Sequence, residues 1–267
     1  MDLELQGKTA LVTGGSRGIG KAIARELSLC GCTVAITARG SQALELAAKE
    51  ISDETGQRVL GIVCDLTNTE AVGTMVESAA NAMGGKIDIL VNNAAAPGGL
   101  ARGPISEIKD EDVINDLDTK VMGYLRCARA VAPYMISQNW GRIINIGGTS
   151  ARRANGNLSA GVRNAGLVNF TKYLAEDLGQ SGITANIVHP GTTRTERSAP
   201  MYEEEARRLG STVAEVEARV ALGNSTRRIV DASELAYVVA FLASPRSIAI
   251  SGEVISASGG AGQAVFH

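Results

Sequence analysis

The run Thr9-Ala10-Leu11-Val12-Thr13-Gly14-Gly15-Ser16-Arg17-Gly18-Ile19-Gly20 constrains the fold more than any other stretch of this chain. A short apolar segment ends in a glycine-rich turn, and a helical pattern opens near Gly18. The spacing predicts a strand, a phosphate-cradling loop and a helix N-terminus in succession. The glycines let backbone approach a pyrophosphate, while orphan N–H groups and the positive end of the helix favour an anion. Gly14, Ser16, Arg17, Gly18, Ile19 and Gly20 are the binding candidates in this segment.

Beyond it, β-rich apolar runs alternate with helix-period segments. Strands are expected at Thr9–Thr13, Thr33–Ala38, Arg58–Cys64, Ile87–Asn92, Gly141–Gly147, Thr184–His189 and Glu253–Ser256. Helices are expected at Gly18–Cys30, Ser41–Thr55, Thr69–Met83, Asp110–Gln138, Ser159–Ser181 and Ser233–Ala243. This order predicts an α/β fold: a doubly wound, seven-stranded parallel sheet covered on both faces. With no linker, repeat or low-complexity stretch, a single domain is expected over the 267 residues. The polar stretch 194–227 interrupts the pattern just after a strand C-terminus, where ligands bind in such sheets, and reads as a substrate lid.

Composition narrows the partners. A net charge of −2 offers no basic field for nucleic acid, and no apolar run is long enough to span a bilayer. No signal-peptide pattern opens the chain. Cys30, Cys32, Cys64 and Cys127 lack metal-site spacing, so free thiols, no metal and a cytoplasmic setting are expected.

The second predicted strand ends in Thr37-Ala38-Arg39-Gly40-Ser41 with no acidic residue. An acid there would bind a ribose 2′-hydroxyl; Arg39, with Ser16 and Arg17, instead suits a 2′-phosphate, which points to NADP(H). The alternative is an exposed arginine without a ligand. Asp65 and Leu66 close the third strand, where Asp65 can reach an adenine. Asn92-Asn93-Ala94-Ala95 close the fourth with small residues near which a cofactor can pass.

Along nearly its whole length the chain resembles the short-chain dehydrogenases/reductases. The resemblance rests on the glycine motif, Asp65, Asn92-Asn93-Ala94-Ala95, Pro190-Gly191-Thr192-Thr193-Arg194-Thr195, and the closing Ser251-Gly252-Glu253-Val254 and Gly259-Gly260. It implies a Rossmann-type sheet, a nicotinamide dinucleotide, a small-molecule substrate and a homotetramer or homodimer. It also implies that Ile187, Pro190, Gly191, Thr192 and Thr195 meet the nicotinamide end, with Asn92 and Ala94 along the cofactor. By the same resemblance His189 is structural.

The family's chemistry relies on an Asn, a Ser, a Tyr and a Lys, and here the resemblance fails. Val121-Met122-Gly123-Tyr124-Leu125 puts Lys120 in the asparagine position. Gly141-Arg142-Ile143-Ile144-Asn145-Ile146 leads to Gly148 (or Gly147, with a deletion) in the serine position. Ala165-Gly166-Leu167-Val168 puts Asn164 in the lysine position and Ala160 in the tyrosine position. Asn164 and Asn186 stand 22 residues apart, the family's ungapped spacing. Placing Arg163 in the lysine position would need an insertion or deletion within a helix.

Asn and Lys therefore look exchanged, while both hydroxyls are gone. Either Lys120 supplies a charge or a proton and Asn164 holds the ribose hydroxyls, or both have drifted in a disused site. Ser150 and Arg163 are further catalytic candidates. Ser150 belongs to a polar loop with Thr149, Arg152, Arg153, Asn155, Asn157 and Ser159, where the two arginines can clamp an anion. Tyr202 in the lid is another source of a phenol. Three functions stay open. One is a divergent NADP(H)-dependent oxidoreductase acting on an activated alkene, imine or carbonyl. The others are a non-redox lyase, hydrolase or isomerase, and a cofactor-binding protein without turnover.

Overall fold

The computed structural model describes residues 2–96, 98–154 and 157–262. Nine strands are described: β1 (Thr9–Thr13), β2 (Thr33–Ala38), β3 (Val59–Val63), β4 (Ile89–Asn92), β5 (Gly141–Ile146), β6 (Ile183–Pro190), β7 (Thr193–Arg194), β8 (Val230–Asp231) and β9 (Val254–Ala257). Helices α1 (Gly18–Leu29), α2 (Ser41–Thr55), α3 (Thr69–Ala82), α4 (Asp110–Leu117), α5 (Gly123–Ser137), α6 (Leu158–Leu178), α7 (Ser198–Leu209), α8 (Val213–Ala221) and α9 (Ala232–Ala243) alternate with them.

Seven strands form one parallel sheet in the order β3-β2-β1-β4-β5-β6-β9, as the sequence predicts. Its central strands are apolar throughout because both faces are covered: β1 and β5 have no exposed residue. On one face Ile23 and Leu27 of α1 pack with Val239 and Leu242 of α9. On the other, Val72 and Met75 of α3, Val131 of α5 and Leu174 of α6 share a cluster. Strand order reverses between β1 and β4, which opens a crevice at the carboxyl ends of the strands, where ligands bind in such sheets.

One departure from the sequence-based expectation bears on the site, and the polar stretch near it has a packing of its own. The helix expected over Asp110–Gln138 is interrupted by a π-helical turn at Asp118–Met122, which carries Lys120. Arg126 closes the widened turn, donating from Nη1 to the carbonyls of Asp118 (3.3 Å) and Leu66 (3.0 Å). Hydrophobic periodicity cannot register a single inserted residue of this kind. The stretch 194–227 forms α7 and α8 around a small core of its own, Tyr202, Ala206, Val216 and Ile229. Tyr202 is therefore a packing residue of that unit.

Candidate functional site

The glycine loop is shaped by close backbone contacts. Gly14 and Gly15 donate to the Thr37 carbonyl at 2.7 and 3.1 Å, which holds the loop against β2. Gly14 adopts φ +66, and a Cβ there would lie 2.9 Å from Ala94 Cα. A Cβ on Gly20 would run into the Gly14 carbonyl and the Asn93 amide. Asn93 Nδ2 donates to the carbonyls of Thr13 (2.9 Å) and Gly14 (3.1 Å), so it staples the loop to the end of β4.

Helix α1 begins without a side-chain cap and without an acid in its first turn. Its Gly18 N–H donates instead to Glu196 Oε1 at 2.7 Å, across the crevice. A carboxylate thus stands where an anionic ligand would sit, and the donor set fits the pyrophosphate of a dinucleotide. Arg39 is exposed after β2, with Ser16 and Arg17 on the loop beside that strand end. Pro190 ends β6, and Gly191, Thr192 and Thr195 follow it at the same carboxyl edge of the sheet.

Three cofactor-side candidates have packing or partners of their own. Asn92 is fully buried and donates from Nδ2 to Asn145 Oδ1 at 3.0 Å, so its side chain ties β4 to β5 and does not line the crevice. Leu66 is buried in the hydrophobic core. Asp65 is exposed, but its carboxylate accepts from the N–H and hydroxyl of Thr67 (3.0 and 2.9 Å). Those bonds, led by the backbone N–H and aided by Arg39 and Arg126, hold its pKa below the usual carboxylate range.

Lys120 and Asn164 meet. Lys120 Nζ donates to Asn164 Oδ1 at 2.9 Å and to the Gly147 carbonyl at 3.1 Å. Asn164 Nδ2 donates to Ser150 Oγ at 2.8 Å, and Ser150 donates to the Ala160 carbonyl at 3.0 Å. Lys120, Asn164 and Ser150 therefore form one chain of hydrogen bonds from the π-turn to the loop after β5. Each end of the Asn164 amide makes one bond, which leaves one N–H and one oxygen lone pair for a further partner. Lys120 is only 3 % exposed. Burial, reinforced by Arg163 and partly opposed by Asp116, holds its pKa well below the usual lysine value.

Arg163, next to Asn164 on α6, has a different partner. It forms a buried ion pair with Asp116 and donates to the Ala96 carbonyl at 3.1 Å. His189 is fully buried; its Nδ1 accepts from the Gly148 N–H at 3.0 Å, which leaves the proton on Nε2. Burial, then Arg152 and Lys120, push its pKa down to about 4. A Cβ on Gly147 would collide with the His189 ring.

Arg152 donates to the Val254 carbonyl at 3.4 Å, while Arg153 is exposed. Asn155 lies outside the described residues. Asp116 and Glu196 were not legible as site residues. Asp116 had a signal, an acid four residues before Lys120 on a helical pattern. Glu196, 178 residues from Gly18, had none.

Among the described residues, no cluster of His, Cys, Asp and Glu could hold a metal ion, and no helix is long and apolar enough to cross a membrane. All four cysteines are free.

Comparison with known proteins agrees with this architecture. The family model described as enoyl-(acyl carrier protein) reductase, adh_short_C2, matches residues 14–262. The 3-oxoacyl-[acyl-carrier-protein] reductase of Vibrio cholerae is 35% identical over 260 residues, 97% of this chain and 98% of its own length. The structure of L-sorbose reductase from Gluconobacter frateurii, complexed with NADPH and L-sorbose, superposes with a TM-score of 0.92 at 31% identity, covering 98% of both chains. An NAD+-bound xylitol dehydrogenase superposes with a TM-score of 0.86 at 31% identity, covering 96% of this chain and 100% of its own.

Proposed function

The chain belongs to the short-chain dehydrogenase/reductase family of oxidoreductases, and from that premise we propose that it moves a hydride between NADP(H) and a small organic substrate, with Lys120 carrying the proton that the family's tyrosine otherwise carries. The glycine loop and the N-terminus of α1 would hold the pyrophosphate, and Arg39 with Ser16 and Arg17 the 2′-phosphate. Arg39 decides between the two cofactors seen in the similar structures, because it offers a cation where NAD selection needs an acid. Once bound, the nicotinamide supplies or accepts the hydride.

One observation carries the reading. The only hydrogen-bond partners of Lys120 Nζ among the described residues are two neutral oxygens, those of Gly147 and Asn164. Two acceptors match the two N–H bonds of a neutral amine and leave its lone pair unused. In the oxidising direction that lone pair takes the substrate's hydroxyl proton as the carbon–hydrogen bond gives up its hydride. In the reducing direction Lys120, as ammonium, returns the proton to the carbonyl oxygen, the imine nitrogen or the carbon of an activated alkene. The half-buried hydroxyl of Ser150, tied to Asn164, orients the substrate in place of the serine absent at Gly148. Helices α7 and α8 form the lid over the substrate.

The test is NADPH consumption by the full chain with carbonyls, imines and activated alkenes, repeated with Lys120→Met. Turnover should fall by about 10²- to 10⁴-fold in the variant, the usual contribution of a positioned acid–base group. Undiminished turnover would remove Lys120 from the mechanism. Product without any change in NADPH would replace hydride transfer by a non-redox reaction on the same fold.

A further inference from the structure

The continuous segment of α4 and the π-turn makes two cross-helix pairs with α6, Lys120 with Asn164 and Asp116 with Arg163. Asp116 and Lys120 are four residues apart, and Arg163 and Asn164 are consecutive, so the pairs form two adjacent rungs between the same helices. All three ionisable members are withdrawn from water, at 0 % exposure for Asp116, 3 % for Lys120 and 4 % for Arg163.

In such surroundings a carboxylate one turn from a lysine is its natural counter-ion. Here it is spoken for. Asp116 Oδ1 accepts from Arg163 Nη1, and Oδ2 accepts from the Leu100 N–H at 3.3 Å. Lys120 donates to neither oxygen.

We infer that Asp116 and Arg163 are positioning residues: by pairing with each other they deny Lys120 a counter-ion and keep it as a buried amine rather than an ammonium. This rests on the role proposed above for Lys120 and adds what sets its protonation state.

The charged and titratable groups around Lys120 are few. Asp116 lies on its own helical segment, Arg163 on α6 and His189 on β6, and the Tyr124 ring of α5 lies 6.0 Å from Nζ. His189 is neutral above its depressed pKa, and burial drives the Tyr124 phenol upward, so it too is neutral. Asp116 and Arg163 are therefore the charges that decide. They also pin the loop after β4, through Leu100 and the Ala96 carbonyl.

The two charges pull Lys120 in opposite directions, which separates this role from a merely structural one. Arg163→Gln releases Asp116 as a counter-ion and should raise the Lys120 titration point by at least about one pH unit; Asp116→Asn leaves an uncompensated guanidinium and should lower it. The double variant Asp116→Asn with Arg163→Gln, which keeps polar groups at both positions without either charge, should fall between them and guards against a single variant that does not fold.

The readout is the pH titration of lysine Nζ and Cε resonances in the full chain, with the Lys120 signal assigned by its loss in Lys120→Met, alongside the pH profile of kcat/KM. Shifts of opposite sign in both readouts support the inference. A Lys120 titration that both single variants leave in place, or move the same way, overturns it, even if Lys120→Met is inactive. Opposite shifts in the resonances with an unmoved kcat/KM profile would uphold the charge arrangement and sink the catalytic reading instead.

Discussion

Gly148 and Asn164 exclude a side chain between them: a Cβ built on Gly148 would lie 2.7 Å from Asn164 Nδ2. While Asn164 bridges Lys120 and Ser150, a side chain at position 148 and the Asn164 amide compete for the same space. Gly148→Ser should displace the Asn164 amide and cost about 1–3 kcal/mol, as overpacking of a filled site does. Combined with Asn164→Ala the cost should be less than the sum of the single changes, because the neighbour that is crowded has gone. A denaturation cycle over the four proteins measures this, and strict additivity would show the two positions to be independent.

The protonation of Lys120 gives activity a direction with pH. Reduction needs the ammonium, so its kcat/KM should fall as pH rises through the Lys120 pKa. Oxidation needs the amine and should rise through the same point. That point should lie well below the usual lysine value, because burial and then Arg163 disfavour the ammonium. Initial rates in both directions across pH check this; limbs that do not cross at a common pKa would point to another group.

Stability carries a separate signature from His189. Its folded pKa of about 4 lies below the unfolded value of 6.5, so the unfolded chain binds a proton the folded chain refuses. Stability should be undiminished above about pH 6.5 and fall as pH drops towards 4, by about 3 kcal/mol in all. His189→Gln should flatten that limb in urea denaturation series at stepped pH. A wild-type limb preserved in the variant would assign the loss to other groups.

Glu196 holds the Gly18 N–H that a pyrophosphate would take. An incoming diphosphate has to displace this carboxylate and overcome its charge. Glu196→Gln should tighten NADPH binding by roughly fivefold, on the scale of one net hydrogen bond. Calorimetry or cofactor fluorescence reads this directly, and weaker binding in the variant would make Glu196 a support of the site and not its competitor.

Arg39 is the exposed cation after β2. Arg39→Ala should weaken NADPH by roughly tenfold or more and leave NADH nearly unchanged, since only the 2′-phosphate contact is lost. Equal weakening of both cofactors would locate Arg39 elsewhere on the nucleotide.

Much of this protein was written in local sequence. Continuous apolar runs, the spacing of helix-period segments and the glycine loop at Gly14–Gly20 determine the parallel sheet and place a phosphate-binding end at its carboxyl edge, because each depends on residues near one another in the chain. Counting alone set Ala160 and Gly148 against the family's tyrosine and serine positions, and it says nothing of what surrounds them. What Lys120 touches was decided only in three dimensions. Its partners Asn164 and Gly147 lie 44 and 27 residues away, Asp116 is turned to Arg163 across two helices, and Glu196 reaches Gly18 across the crevice. Burial and partner choice depend on the net arrangement of distant charges in a space that excludes water, and no local pattern records that.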